Sequence, residues 1–155
     1  MDRLAGRAIL ITGTTGIAAA TAERAAAEGA SVFVVSRNPD HAQALGERLR
    51  GGGWAAADLT DEAAVDAAVS AAVERFGRID GLFSAAGGSG RRFGDGPIHA
   101  LTGDAWEATA ALNLRTQVLV CSRVVRAMRE QRPDDSGLRG TAPTAETPSW
   151  LPFGV

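Results

Sequence analysis

The sequence contains no lysine and no tyrosine, and a single cysteine. All 16 basic side chains are arginine, so the chain has no ε-ammonium and no phenol to serve as an acid or a base. One thiol, Cys121 in an apolar stretch, excludes an internal disulfide and makes a reducing compartment the expectation. No segment approaches the roughly 18 apolar residues of a membrane helix. Met1-Asp2-Arg3-Leu4-Ala5-Gly6 also lacks the apolar core of a signal peptide. A cytoplasmic protein without a membrane partner is therefore expected. A net charge of −2 gives no electrostatic reason for a nucleic-acid partner. His41 and His99 stand alone in polar surroundings, so no metal site is expected.

What is present is a regular alternation of short apolar runs with alanine-rich stretches. With 155 residues, 45 % apolar and 22 % charged, the chain suits one compact soluble domain. Ala8 to Thr12 reads as a buried strand, Ile17 to Glu28 as a helix ended by Gly29, and Val32 to Ser36 as a second strand. Asn38 and Pro39 open a helix to about Arg50. Trp54 to Ala57 is a third strand, and Thr60 caps a helix that buries Val65, Val69, Val73 and Phe76 and ends at Gly77. Ile79 to Ala85 is a fourth strand, and a glycine-rich loop then leads to a long helix from Thr102 to about Gln131. The order β-α-β-α-β-α-β-α implies parallel strands with helices on both faces. A domain over residues 1–132 is expected. After Pro133 the apolar period vanishes, and residues 133–155, with prolines at 133, 143, 148 and 152, read as a poorly ordered tail.

Thr12-Gly13-Thr14-Thr15-Gly16-Ile17-Ala18-Ala19 joins the first strand to the first helix. In such a turn, backbone N–H groups and the positive helix end can meet a dinucleotide pyrophosphate. Gly13 permits the tight turn, and Gly16 lets the backbone approach the phosphates. Ala18 or Ala19 is small enough for close helix–strand packing. The competing reading is a βα turn that binds nothing.

The stretch ILITGTTGIAAATAERAAAEGASVFVVSRN resembles the opening of the short-chain dehydrogenases/reductases, whose turn reads TGxxxGxG. Only Thr14 and Thr15 separate Gly13 from Gly16, one residue fewer than that pattern. The spacing matches the TGxxGxxG form of the family's extended branch, with Ala19 last, whereas the downstream sequence resembles the compact branch. The resemblance implies a three-layer α/β fold of Rossmann type with strand order 3-2-1-4, truncated after the fourth helix. It also implies cofactor contacts at Gly13, Thr14, Thr15, Gly16 and Ile17.

NAD-dependent members place a carboxylate at the end of the second strand to bond the ribose 2′-hydroxyl. Here Ser36 and Arg37 stand there, with no acid to repel a 2′-phosphate and a guanidinium suited to bind one. NADP(H) is the expected cofactor and NAD(H) the alternative; Arg37 as a solvated loop residue is the competing reading. Asp58 and Leu59 resemble the family's acidic position that bonds the adenine amino group, and a carboxylate capping a βα turn is the other account. Ser84-Ala85-Ala86-Gly87 stands where the family has NNAG. Small residues there let the backbone lie close to the adenine ribose, but Ala85 has no amide to offer.

Asn113, in Asn113-Leu114-Arg115-Thr116, matches the family's catalytic asparagine, which holds a water linking the catalytic lysine to solvent. An ordinary helix residue at a bend is the alternative. The family continues with a catalytic serine and YxxxK, and neither follows here: Ser149 has no tyrosine or lysine to work with. The resemblance ends near Arg139. It implies an oxidoreductase moving hydride between NADP(H) and an alcohol or carbonyl compound. Without an acid–base pair worth about 10²–10⁴ in rate, the chain alone is expected to be inactive.

Three readings stay open: a truncated or frameshifted product, a non-catalytic nucleotide-binding or sensing module, and a fragment completed by a partner chain. Self-association is expected through the last helix, where Val118 to Cys121 are apolar all round, or through the fourth strand's apolar edge at Leu82 and Phe83. Gly88-Ser89-Gly90 lacks the second glycine of a hydrolase elbow, and Arg91-Arg92 reads as a solvated pair bordering a substrate loop.

Overall fold

The computed structural model describes residues 2–94 and 96–141. Strands β1 (Ala8–Thr12), β2 (Ser31–Ser36), β3 (Gly53–Ala56) and β4 (Gly81–Ser84) form one parallel sheet in the order β3-β2-β1-β4. Thr12 pairs with Val35 on one side and Ser84 on the other, so the C-terminal ends of three strands lie level. Helices α1 (Gly16–Ala27), α2 (Pro39–Arg48) and α3 (Glu62–Phe76) are the crossovers. This is the α/β, Rossmann-type layering and strand order expected.

Alternate residues of the central strands feed two cores, because successive side chains point to opposite faces of a sheet. Ile11, Val32 and Val34 pack with Ala18, Ala22 and Ala25 of α1 and Leu45 of α2. The alanines explain the close approach of α1 to the sheet. On the other face, Leu10, Phe33 and Val35 pack with Val65 and Val69 of α3 and with Val120, Val124 and Met128. Val73 and Phe76 reach only the margin of this core. Asp61 rather than Thr60 caps α3, its side chain accepting from the Ala63 N–H at 3.0 Å.

The long helix expected from Thr102 to about Gln131 is not one regular helix. It runs as α4 (Gly103–Ala110), a π-helical turn over Ala111–Arg115, and α5 (Thr116–Glu130). Side-chain bonds to the backbone accompany the break. Thr109 and Thr116 hydroxyls donate to the carbonyls of Ala105 and Leu112, both at 2.8 Å, and Asn113 Nδ2 donates to the Thr109 carbonyl at 3.0 Å. Each bond competes with the helical ladder four residues back, and the ladder widens. No helix among the described residues is long and apolar enough to cross a membrane.

Part of the segment read as a poorly ordered tail is tied back to the domain. Asp134 pairs with Arg7, and Thr141 bridges Gly81 in parallel: its N–H donates to the Asp80 carbonyl at 2.8 Å and its carbonyl accepts from Leu82 at 3.2 Å. The remainder of that segment, 142–155, lies outside the described residues, and Ser149 with it.

Candidate functional site

The C-terminal ends of the four strands open into a cleft of about 260 Å³. In a parallel α/β sheet this is where ligands bind, because helix N-termini and the intervening turns converge there. Gly13, Thr14 and Thr15 line it from the first turn, Ser36 and Arg37 from the second, Asp58 and Leu59 from the third, and Ala86 and Gly87 from the loop after β4.

The start of the first helix is left uncapped. Helices α2, α3 and α4 each begin with a side chain that caps a backbone N–H and with an acid in the first turn. Helix α1 has neither: Thr15 at its N-cap makes no side-chain bond, and its first turn carries no acid. Gly16 sits at φ +55° with nothing within 4 Å of where a Cβ would stand. Its N-terminal N–H groups therefore keep their positive potential for a ligand. Gly13, at φ +96°, is required for a second reason, since a Cβ there would lie 3.1 Å from that of Ala18.

The far rim is cationic and preorganised. Asn38 N–H donates to Ser36 Oγ at 3.4 Å, and Asn38 Oδ1 caps α2 by accepting from His41 N–H at 3.1 Å. Arg37 is exposed and makes no hydrogen bond or ion pair among the described residues. Opposite, Asp58 Oδ1 accepts from both the N–H (3.0 Å) and the hydroxyl (2.8 Å) of Thr60. These two bonds hold the Asp58 carboxyl below its ordinary range, with the fields of Arg37 and Arg92 acting in the same direction. A dinucleotide fits this donor set: open N–H groups for a pyrophosphate, a free guanidinium for a further phosphate, and an ionised carboxylate for an amino group.

Four of the expected residues do not line the cleft. Gly16 follows Thr15, which does line it, at the start of α1. The side chain of Ile17 is 76 % exposed and turns toward an apolar groove beside Phe83. The Ala85 N–H lies beneath the wall, donating with that of Ala86 to the buried Thr12 hydroxyl, both at 3.0 Å. Asn113 acts from behind: its Oδ1 accepts from the Gly88 N–H (3.0 Å) and its Nδ2 donates to the Gly88 carbonyl (2.9 Å) and to Thr109. One amide proton is thus committed to the loop after β4 and the other to the Thr109 carbonyl of α4.

Sequence reading missed Asn38, His41, Thr60, Leu112 and Thr116, which also line the cleft. For Asn38 and His41 the signal was their place in the turn after Arg37. For Thr60 it was the Asp-x-Thr spacing that closes an Asx turn. Leu112 and Thr116, four residues apart, share one helix face, and that face closes the cleft.

The comparisons agree with this architecture. The sequence model described as short chain dehydrogenase matches residues 7–135. Levodione reductase of Leifsonia aquatica is 38% identical over 136 residues, covering 83% of this chain and 50% of its own. D-threitol dehydrogenase of Mycolicibacterium smegmatis is 38% identical over 133 residues, with the same two shares. A short chain dehydrogenase structure from Mycobacterium smegmatis superposes with a TM-score of 0.77 at 28% identity, over 86% of this chain and 56% of that one. A short-chain type dehydrogenase/reductase from Mycobacterium ulcerans gives 0.72 at 32% identity, over 81% and 47%. The chain spans about half the length of the curated relatives it matches. Sequence match, strand order and cleft together make this chain a member of the short-chain dehydrogenase/reductase family.

Proposed function

We propose that this chain supplies the dinucleotide-binding half of an NAD(P)-dependent oxidoreductase and prefers NADP(H) to NAD(H). The observation that carries the reading is one cleft that joins the uncapped start of α1 to Arg37 at the end of β2. When bound, the nicotinamide would supply hydride exchange with an alcohol or carbonyl compound, the chemistry in the names of the relatives. The protein's part would be to bind and orient: N–H groups at Gly16 and Ile17, at the uncapped start of α1, would hold the pyrophosphate, Arg37 the 2′-phosphate, and Asp58 would accept from the adenine amino group. Asn113 holds the loop that carries Ala86 and Gly87 against the ribose. With no tyrosine and no lysine in its sequence, the chain by itself transfers no hydride at a useful rate. Nicotinamide fluorescence during titration with NADPH and NADH tests the binding. Saturation by NADPH below NADH is the expected result, and no response to either at millimolar cofactor would sink the reading.

A second reading, completion by another chain, is favoured by the sheet edge. Strand β4 pairs with β1 on one side, and among the described residues only Thr141 bridges its other side, at Gly81. Leu114 and Val118, 64 % and 58 % exposed and four residues apart, offer a further apolar contact. Expression in the native background with affinity capture tests it; a purely monomeric chain would overturn it. A cytoplasmic location is supported by the lone buried thiol of Cys121.

A further inference from the structure

Two side chains of the π turn, Asn113 and Arg115, bond opposite walls of the cleft. Asn113 holds the wall after β4, as described above. Arg115 reaches the other wall, its Nε donating to the Thr60 carbonyl at 3.0 Å across 55 residues of sequence. Between them Leu112 and Thr116 line the cleft itself. At about 100° per residue, positions 113 and 115 lie about 200° apart, on opposite sides of the helix axis, which sends one side chain to each loop.

Thr60 is the residue on which Asp58 depends. Its N–H and hydroxyl occupy Asp58 Oδ1, leaving Oδ2 without a hydrogen bond among the described residues, beside the cleft. A guanidinium on the Thr60 carbonyl holds the peptide that follows these donors, and so restrains the Thr60 backbone from its C-terminal side. The exposed Arg115 would otherwise be a solvated side chain with no claim on the site. We infer that Arg115 is a positioning residue for adenine selection: by clamping the Thr60 carbonyl it holds Asp58 Oδ2 where an exocyclic amino group donates to it. This rests on the dinucleotide reading above and adds a residue to it, one that touches no ligand.

The test compares NADP+ with its 1,N6-etheno derivative, in which the amino group is blocked, by calorimetric titration of the full chain. A hydrogen bond to a charged acceptor corresponds to roughly a tenfold preference for NADP+ in the wild-type protein. Arg115→Met keeps the aliphatic stem and loses the donor, so the preference should fall toward parity. Arg115→Lys restores a donor and should recover part of it. The ratio of affinities is insensitive to a general loss of folded protein, and thermal melts of both variants check that directly. A wild-type ratio retained in Arg115→Met overturns this inference alone, as does a wild-type protein that binds both ligands equally. A wild-type protein that binds neither overturns the dinucleotide reading, and this inference with it.

Discussion

Asn113 and Gly87 meet so closely that a Cβ on Gly87 would lie 2.6 Å from Asn113 Oδ1. The amide cannot swing aside without losing its bonds to Gly88 on both donor and acceptor sides. Gly87→Ala should therefore cost about 1–3 kcal/mol, the range for forcing an extra carbon into a packed site. Removing the obstacle in Asn113→Ala should make the second change cheaper, so the double variant loses less than the sum of the singles. Urea unfolding of the four proteins measures this, and strictly additive losses would contradict the contact.

Much of the fold was legible because its determinants are local. The continuous apolar runs at Ala8–Thr12 and Ser31–Ser36 and the glycines at 29 and 77 act within a few residues. The order β3-β2-β1-β4 was read through family likeness and not from periodicity. The break in the long helix, where Thr109, Asn113 and Thr116 bond carbonyls four residues back, escaped notice because a helical apolar pattern is blind to such bonds. The roles of Asn113 and Arg115 are set by partners 25 and 55 residues away, Gly88 and Thr60. Spacing along the chain carries no information about such pairs.

Thr12 is fully buried, and its hydroxyl oxygen accepts two N–H groups, from Ala85 and Ala86. Thr12→Val keeps the shape and removes the acceptor. Both donors are then left without a protein partner at the start of the β4 loop, each costing about 1–3 kcal/mol where solvent cannot replace the bond. The expected outcome is a lower urea midpoint with an unchanged m-value, and faster amide exchange at Ala85 and Ala86 than elsewhere in the sheet. Unaltered exchange at those two amides would argue against the bond.

Glu28 ties the N-terminal segment to the end of α1. Arg3 donates to both carboxylate oxygens, at 3.1 and 3.0 Å, and Arg24 adds a third contact. Arg3 is the main reason the Glu28 carboxyl falls from its ordinary 4.5 to about 2. A carboxyl with a depressed pKa in the folded state contributes stability that is whole above the unfolded value and is lost as pH falls toward the folded one. Stability should thus decline between about pH 4.5 and 2. Glu28→Gln, measured by thermal melts across that window, should flatten this part of the decline and leave the remaining carboxylates to account for the rest. A pH dependence identical to wild type would refute the assignment.

On the proposed reading, Arg37 is the residue that selects NADP(H) over NAD(H). It lines the cleft beside Ser36 and Asn38, with no ion pair among the described residues to compete for it. Charge-assisted bonds of this kind contribute about 1.5–3 kcal/mol, which is roughly 10–100-fold in affinity. Arg37→Ala should weaken NADPH by about that factor and leave NADH nearly unchanged, since only the former carries the 2′-phosphate. Because the guanidinium is exposed, the wild-type preference should also shrink with salt, as screening shortens the reach of its field at high ionic strength. Fluorescence titrations of both cofactors at low and high salt separate these effects. Equal losses for NADPH and NADH in Arg37→Ala would move Arg37 from the 2′-phosphate to a part of the dinucleotide common to both.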